Sequence, residues 1–173
     1  LELNQKITSI SRTASGVDVM TSAGTRTFDD VILATHANTA LQLLDQPTDQ
    51  ETKILTHFDY TPSRAYLHTD QRLMPKKKRA WASWNYHAAK QKEKATLTYN
   101  MNILSHIESN SDVLVTLNDV GDIDPEKILK ILHYQHPIFN HEMMLSQSRH
   151  AEISGVNRTH YCGAYWRYGF HED

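Results

Sequence analysis

Asp29-Asp30-Val31-Ile32-Leu33-Ala34-Thr35-His36-Ala37-Asn38-Thr39-Ala40-Leu41-Gln42-Leu43-Leu44 is the stretch that decides the fold class. Val31 to Ala34 is an unbroken apolar run, which predicts a strand buried on both faces, as in a parallel sheet. Thr35-His36 connects it to a helix over 37–44, with Ala40, Leu41 and Leu44 at helical spacing. One strand–turn–helix unit is therefore predicted. The sequence shows no parallel partner for its strand.

Upstream, Leu3, Ile7 and Ile10 alternate with polar residues, and Val17, Val19 and Thr21 alternate again. Ala14-Ser15-Gly16 and Ala23-Gly24 are turn signals, so residues 3–28 predict a three-stranded antiparallel meander. Downstream, a short helix is predicted over 50–55, and strands over 63–69, 80–86, 94–100 and 113–118. A helix is expected over 101–108. Asp124-Pro125-Glu126 predicts a helix start, with Ile128, Leu129 and Leu132 on that helix. A strand over 133–139, a helix near 140–147 and a short strand at His160-Cys162 complete the pattern. The predicted class is α+β: a mixed, mainly antiparallel sheet with helices, beside the meander and the strand–turn–helix unit.

Composition narrows the function. The 173 residues carry 18 Lys and Arg against 20 Asp and Glu, a net charge of −2. Electrostatic capture of nucleic acid or of an anionic membrane is therefore not expected. The mean hydropathy is −0.56, and no apolar run approaches the ~18 residues a membrane helix needs. Cys162 is the single cysteine, which excludes an intrachain disulfide and a cysteine-based zinc site. The default compartment is cytoplasmic.

The six glycines form neither G-x-G-x-x-G nor G-x-x-x-x-G-K-[ST], so neither usual phosphate loop is present. His133, His136 and His141 cluster near Pro137 without H-E-x-x-H, and read as surface or half-buried histidines, with no metal site. Lys76-Lys77-Lys78-Arg79 reads as a solvated loop between strands. In Trp81-Ala82-Ser83-Trp84-Asn85-Tyr86 the alternation puts Trp84 and Tyr86 on one face, where core packing accounts for them. Tyr161 to Phe170 is a denser aromatic stretch with Gly163 and Gly169, where backbone can approach a ligand closely. His171-Glu172-Asp173 opens as a helix N-terminus, a place that favours negative charge on a ligand.

Taken together, Asp30-Val31-Ile32-Leu33-Ala34-Thr35, Leu67-His68-Thr69-Asp70, Met74-Pro75, Trp81 to Tyr86, Tyr161-Cys162-Gly163-Ala164-Tyr165-Trp166 and Gly169 to Asp173 resemble a family. They are similar to the bacterial NAD/FAD-binding oxidoreductases of the flavin-containing amine oxidase superfamily. The resemblance implies that the chain is a piece of a larger flavoprotein whose Gly-rich FAD loop lies upstream. It implies a partial FAD-binding domain over 1–45, a substrate-binding domain over 46–153 and a returning FAD-domain segment over 154–173. It further implies FAD in the parent, with little or none held by this chain alone.

The same resemblance implies residue roles. Ile7 would meet adenine through its backbone. Ala34 and Thr35 would end a strand beside the cofactor, with His36 where Gly or Pro is usual. Gly163 and Ala164 would form the turn near the ribityl and pyrophosphate, without the usual carboxylate. Phe170 would flank the flavin ring, and backbone amides at Glu172 and Asp173 would face it. Trp84 and Tyr86 are candidates for a substrate pocket, and no catalytic base is assigned. The implied reaction is hydride transfer from an amine or other apolar organic substrate to flavin. The alternatives are a lipid acyl-chain oxidoreductase or desaturase of the same class, and a non-catalytic α+β binding or interaction domain. The expected partner is a small-molecule substrate. Without an upstream unit, the edge of strand 31–34 would be open, which predicts a homo-oligomer.

Overall fold

The computed structural model describes residues 1–87, 96–117 and 121–169. In chain order the elements begin with strands β1 (Ile7–Arg12), β2 (Val17–Thr21), β3 (Gly24–Phe28) and β4 (Val31–Leu33). Helices α1 (Ala37–Leu43) and α2 (Asp49–Leu55) lead to β5 (Tyr60–His68), β6 (Trp84–His87) and β7 (Thr96–Asn100). Then come α3 (Met101–Leu104), β8 (Leu114–Leu117), β9 (Ile128–Pro137), α4 (His141–Gln147) and β10 (Thr159–Tyr161). Two compact units result: Leu1–Tyr60 with Pro137–Asp173, and Thr61–His136.

The first unit contains the predicted meander, β1-β2-β3, antiparallel throughout. Gly16 is required in its first turn, because a Cβ there would lie 2.6 Å from Phe28 O. The strand partner that no sequence pattern revealed is β10. It pairs parallel with β4, Val31 opposite Thr159 and Leu33 opposite Tyr161, so 31–33 and 159–161 lie side by side. One apolar core gathers Ile10, Val17, Leu33, Ala40, Ile54 and Phe58 from the first half with Met143, Ile153, Tyr161 and Trp166 from the second. The stretches 46–60 and 137–153 thus contribute to the core of this unit.

Strand β4 is not buried on both faces. Leu33 is buried, but Ile32 is 67% exposed, because the first unit's core lies on only one side of the β4–β10 pair. Helix α2 starts with a full capping box: Thr48 Oγ1 accepts the Glu51 N–H, and the Glu51 carboxylate accepts the Thr48 N–H.

The second unit is built on a five-stranded sheet, ordered β6-β7-β8-β5-β9. The helix expected from Asp124 is absent. Pro125–Lys127 forms one tight 3-10 turn capped by Asp124, and the chain continues as β9. Local helix signals favour a start here, but Ile128 and Ile131 are β-branched and the segment finds an open strand edge beside β5. The Thr69 N–H donates to Lys127 O at 3.1 Å as the strand begins. Helix α3 is likewise a single turn, not a helix over 101–108.

This sheet is unusual in what it buries. Asn85, Thr96, Thr98, Asn100, Thr116 and His68 are all buried. Three of them satisfy one another: His68 Nε2 and Thr116 Oγ1 are 2.7 Å apart, and Thr116 Oγ1 and Thr98 Oγ1 are 2.8 Å apart. The Asp70 N–H donates to His68 Nδ1 at 3.0 Å, so Nε2 carries the ring proton in that arrangement. Trp84 and Tyr86 do not pack in the core as their spacing suggested. Asn85 takes the buried position between them, while Trp84 is 57% and Tyr86 72% exposed.

Candidate functional site

The two parallel strands of the first unit end at one cavity. Ala34 and Thr35 succeed β4, and Gly163 and Ala164 succeed β10 after the Cys162 N–H donates to Leu33 O at 3.1 Å. With His36 and Tyr60 they line a space of about 500 Å³, within the range of small-molecule and cofactor sites. Ligands of open α/β sheets bind outside the carboxyl ends of parallel strands, where turns expose backbone. The β4–β10 pairing brings the Ala34–Thr35 and Gly163–Ala164 walls of this cavity together.

Each wall has a local cause. Gly163 has φ +152 and ψ 151, a backbone region open to glycine and strained for other residues. A Cβ on it would come within 2.6 Å of the Tyr165 ring. His36, at the start of α1, stacks on Tyr60 with ring centroids 4.5 Å apart and planes 22° from parallel. The Ala37 N–H donates to Tyr60 Oη at 2.9 Å, which ties that pair to the first turn of α1. Burial raises the Tyr60 pKa against the opposing pull of that N–H, so the phenol stays neutral. Burial also pushes the Tyr165 phenol well above its ordinary value. Tyr165 Oη is buried without an aligned hydrogen-bond partner, and so is Trp166 Nε1, although the nearby indole N–H works to lower the phenol pKa against burial.

A buried charge is bound to β10 through Tyr161. Glu51 is 2% exposed. It accepts from Arg12 and from Tyr161 Oη, the latter at 2.7 Å. Burial raises its pKa, but the hydrogen bonds from Arg12, the Thr48 N–H and Tyr161 outweigh burial and leave it lowered. Strands β1 and β10 and helix α2 thereby meet at one carboxylate.

The sequence-predicted site residues do not all meet in one place. Ala34, Thr35, His36, Gly163 and Ala164 come together around this cavity. Ile7 lies in a second hollow of about 270 Å³ beside Arg26 and Phe28. Trp84 and Tyr86 belong to the second unit. Phe170, Glu172 and Asp173 lie outside the described residues. Sequence reasoning did not single out Tyr60 or Tyr165 as walls. Tyr165 sits within the aromatic stretch Tyr161 to Phe170, which offered a signal, whereas Tyr60 carries none.

Residues 1–131 match the family described as flavin containing amine oxidoreductase. The chain belongs to this family. No curated protein matches it. Among solved structures, the chain is similar to a CLA-producing fatty acid isomerase from P. acnes, with 13% identity and a TM-score of 0.54. That match covers 92% of this chain and 42% of the other. It is also similar to a putrescine oxidase bound to putrescine, with 11% identity, a TM-score of 0.56, and coverage of 91% and 42%. The chain therefore spans 42% of the length of these structures, and at these identities the likeness is one of fold. Among the described residues, no helix is long and apolar enough to cross a membrane.

Proposed function

We propose that the whole protein is an FAD-dependent oxidoreductase, with a hydride passing from an amine or another apolar organic substrate to flavin. The cavity at the ends of β4 and β10 would hold part of the cofactor. The observation that carries this reading is Gly163, whose conformation and missing Cβ open the backbone to the cavity where the two parallel strands end. Family membership supplies flavin as the group, and the residues present fit it. The cavity is bounded by bare backbone at Gly163, a flat aromatic pair at His36 and Tyr60, and a neutral phenol at Tyr165.

When bound, FAD supplies a two-electron acceptor. The chain's own residues supply position. Gly163 and Ala164 present backbone without side-chain obstruction, and Ala34 and Thr35 would do the same from β4. The His36–Tyr60 stack forms a flat aromatic wall. Tyr60 and Tyr165 stay protonated, so no phenolate charge competes for the site. Hydride transfer depends above all on alignment of donor and acceptor, and a rigid strand-end cradle provides it.

The test uses the intact protein. Gly163→Val should abolish retained flavin absorbance. His36→Ala, on an exposed wall, should weaken flavin retention by about tenfold, roughly 1.4 kcal/mol, with an unchanged urea midpoint. Full flavin retention with an unaltered spectrum in both variants would overturn this placement.

A further inference from the structure

Lys76, Lys77, Lys78 and Arg79 are consecutive and exposed, and among the described residues none of them has an ion-pair partner. A run of this kind is ordinarily a solvated loop. Two features set this one apart: its base is fixed, and it stands beside exposed apolar side chains. Met74 is buried just before it. The Trp81 indole N–H donates to Pro75 O at 2.7 Å, closing residues 75–81 into a loop with the four cations inside it. Lys78 Nζ lies 5.2 Å from the centre of the Trp81 ring.

Strand pairing fixes what shares this end of the sheet. His68 and Asn100 both pair with Leu114, and the Asn100 N–H donates to Ser83 O at 2.9 Å. The ends of β5 and β7 therefore lie beside the starts of β6 and β8. Two connections leave from there. Residues 69–83 carry the cations, and residues 101–113 carry Ile103, Leu104 and Ile107, which are 42%, 41% and 40% exposed. Trp84, first in β6, is 57% exposed. Of the acidic groups at this end, Asp70, Asp122 and Asp124 gather around Arg72 and Lys127. Glu108, Asp112 and Glu126 remain as scattered single charges against a contiguous block of four cations.

The net charge of −2 does not oppose an anionic partner here. Exposed charges are screened beyond about 8 Å at physiological salt, so an approaching surface meets the block and not the total. The apolar neighbours then decide which anionic surface fits. The phosphodiester backbone of a duplex offers nothing to Ile103, Leu104 and Ile107. The boundary between lipid headgroups and acyl chains takes aliphatic side chains, and it favours an indole at that depth.

We propose that this end of the second unit is a peripheral docking surface for an anionic lipid membrane. Lys76 to Arg79 meet the headgroup phosphates, while Ile103, Leu104, Ile107 and Trp84 enter the boundary beneath them. The contact is reversible adsorption, requires no spanning helix and is independent of flavin.

The test floats the full 173-residue chain with vesicles of phosphatidylcholine alone and of phosphatidylcholine with one-third phosphatidylglycerol. The chain should float with the anionic vesicles only, and salt at ~1 M, which shortens screening to about 3 Å, should release it. Lys76→Gln, Lys77→Gln and Lys78→Gln together should weaken binding about a hundredfold, or roughly fivefold per charge, with an unchanged circular dichroism spectrum. Ile107→Asp should weaken it about tenfold. Vesicles with brominated acyl chains should quench the tryptophan emission, and Trp84→Phe should remove most of that quenching. Equal flotation with both vesicle types would overturn the proposal, as would undiminished binding in the triple variant or in Ile107→Asp. Tighter capture of duplex DNA than of the anionic vesicles would replace the membrane with nucleic acid, and quenching that persists in Trp84→Phe would remove that indole from the surface.

Discussion

Glu51 shows how one buried residue can organise a site it never lines. Its carboxylate is the common acceptor for Arg12, Tyr161 and the Thr48 N–H. Glu51→Gln would leave Arg12, only 10% exposed, without its counter-charge. Breaking one partner of a buried pair costs about 3 kcal/mol, and urea unfolding of the variant should show a loss of that order. The pH dependence has a fixed sign. The folded pKa lies below the ordinary glutamate value of 4.5, so the stabilisation is complete above that value and is lost as pH falls through the folded one. Glu51→Gln should flatten the acid limb of the stability curve. Gly163 permits a second test at this scale: Gly163→Ala should cost about 1–3 kcal/mol from backbone strain, before its overlap with Tyr165 is counted. An Ala variant as stable as the parent in urea would contradict the geometry.

Among elements, the joint at the end of β5 is the most exposed to a single change. Asp70 is buried and accepts from Arg72 Nε and Nη2 at 3.0 and 2.6 Å and from the Asp124 N–H at 2.9 Å. The Arg72 hydrogen bonds hold its carboxyl far below the ordinary range. Asp70→Asn should lower the stability of the second unit by about 2 kcal/mol, the scale of a lost charged hydrogen bond, seen as an earlier thermal transition. The same joint explains what the sequence disclosed and what it hid. Caps are local, so Asp124-Pro125 and Thr48 with Glu51 could be read directly, and both cap the turns they mark. Whether the chain beyond Asp124 coils or extends depends on a vacant edge beside β5, more than fifty residues upstream, and no local pattern records it. Trp84 and Tyr86 show the same limit: alternation correctly put them on one face, but it carries no information about which face is covered. At the site, the Gly163 turn was legible because only glycine tolerates its backbone, while Tyr60 became a wall only through its distant stack on His36.

At the scale of the whole molecule, two further outcomes are expected. Ile32 is exposed on β4, whose pairing among the described residues is to β10 alone. Apolar side chains on an open strand recruit another chain, so sedimentation should show self-association that Ile32→Lys reduces. A monomer at all concentrations would refute this. The chain should also purify without visible flavin absorbance, because neither usual phosphate loop is present in its sequence; a yellow, stoichiometric preparation would refute that. The insertion of the second unit has a consequence for how the chain folds. Bringing β10 to β4 across the unfolded intervening chain would cost on the order of 4 kcal/mol of loop entropy. The Ile138 N–H, however, donates to Asp59 O at 2.9 Å, so both strands of the chain at the neck of the insertion stand one hydrogen bond apart. Once residues 61–136 have folded, the first unit has only a short gap to close. The later segment in the sequence of the first unit thus waits on the middle one, and a ribosome would release the pieces in the order that assembly needs them.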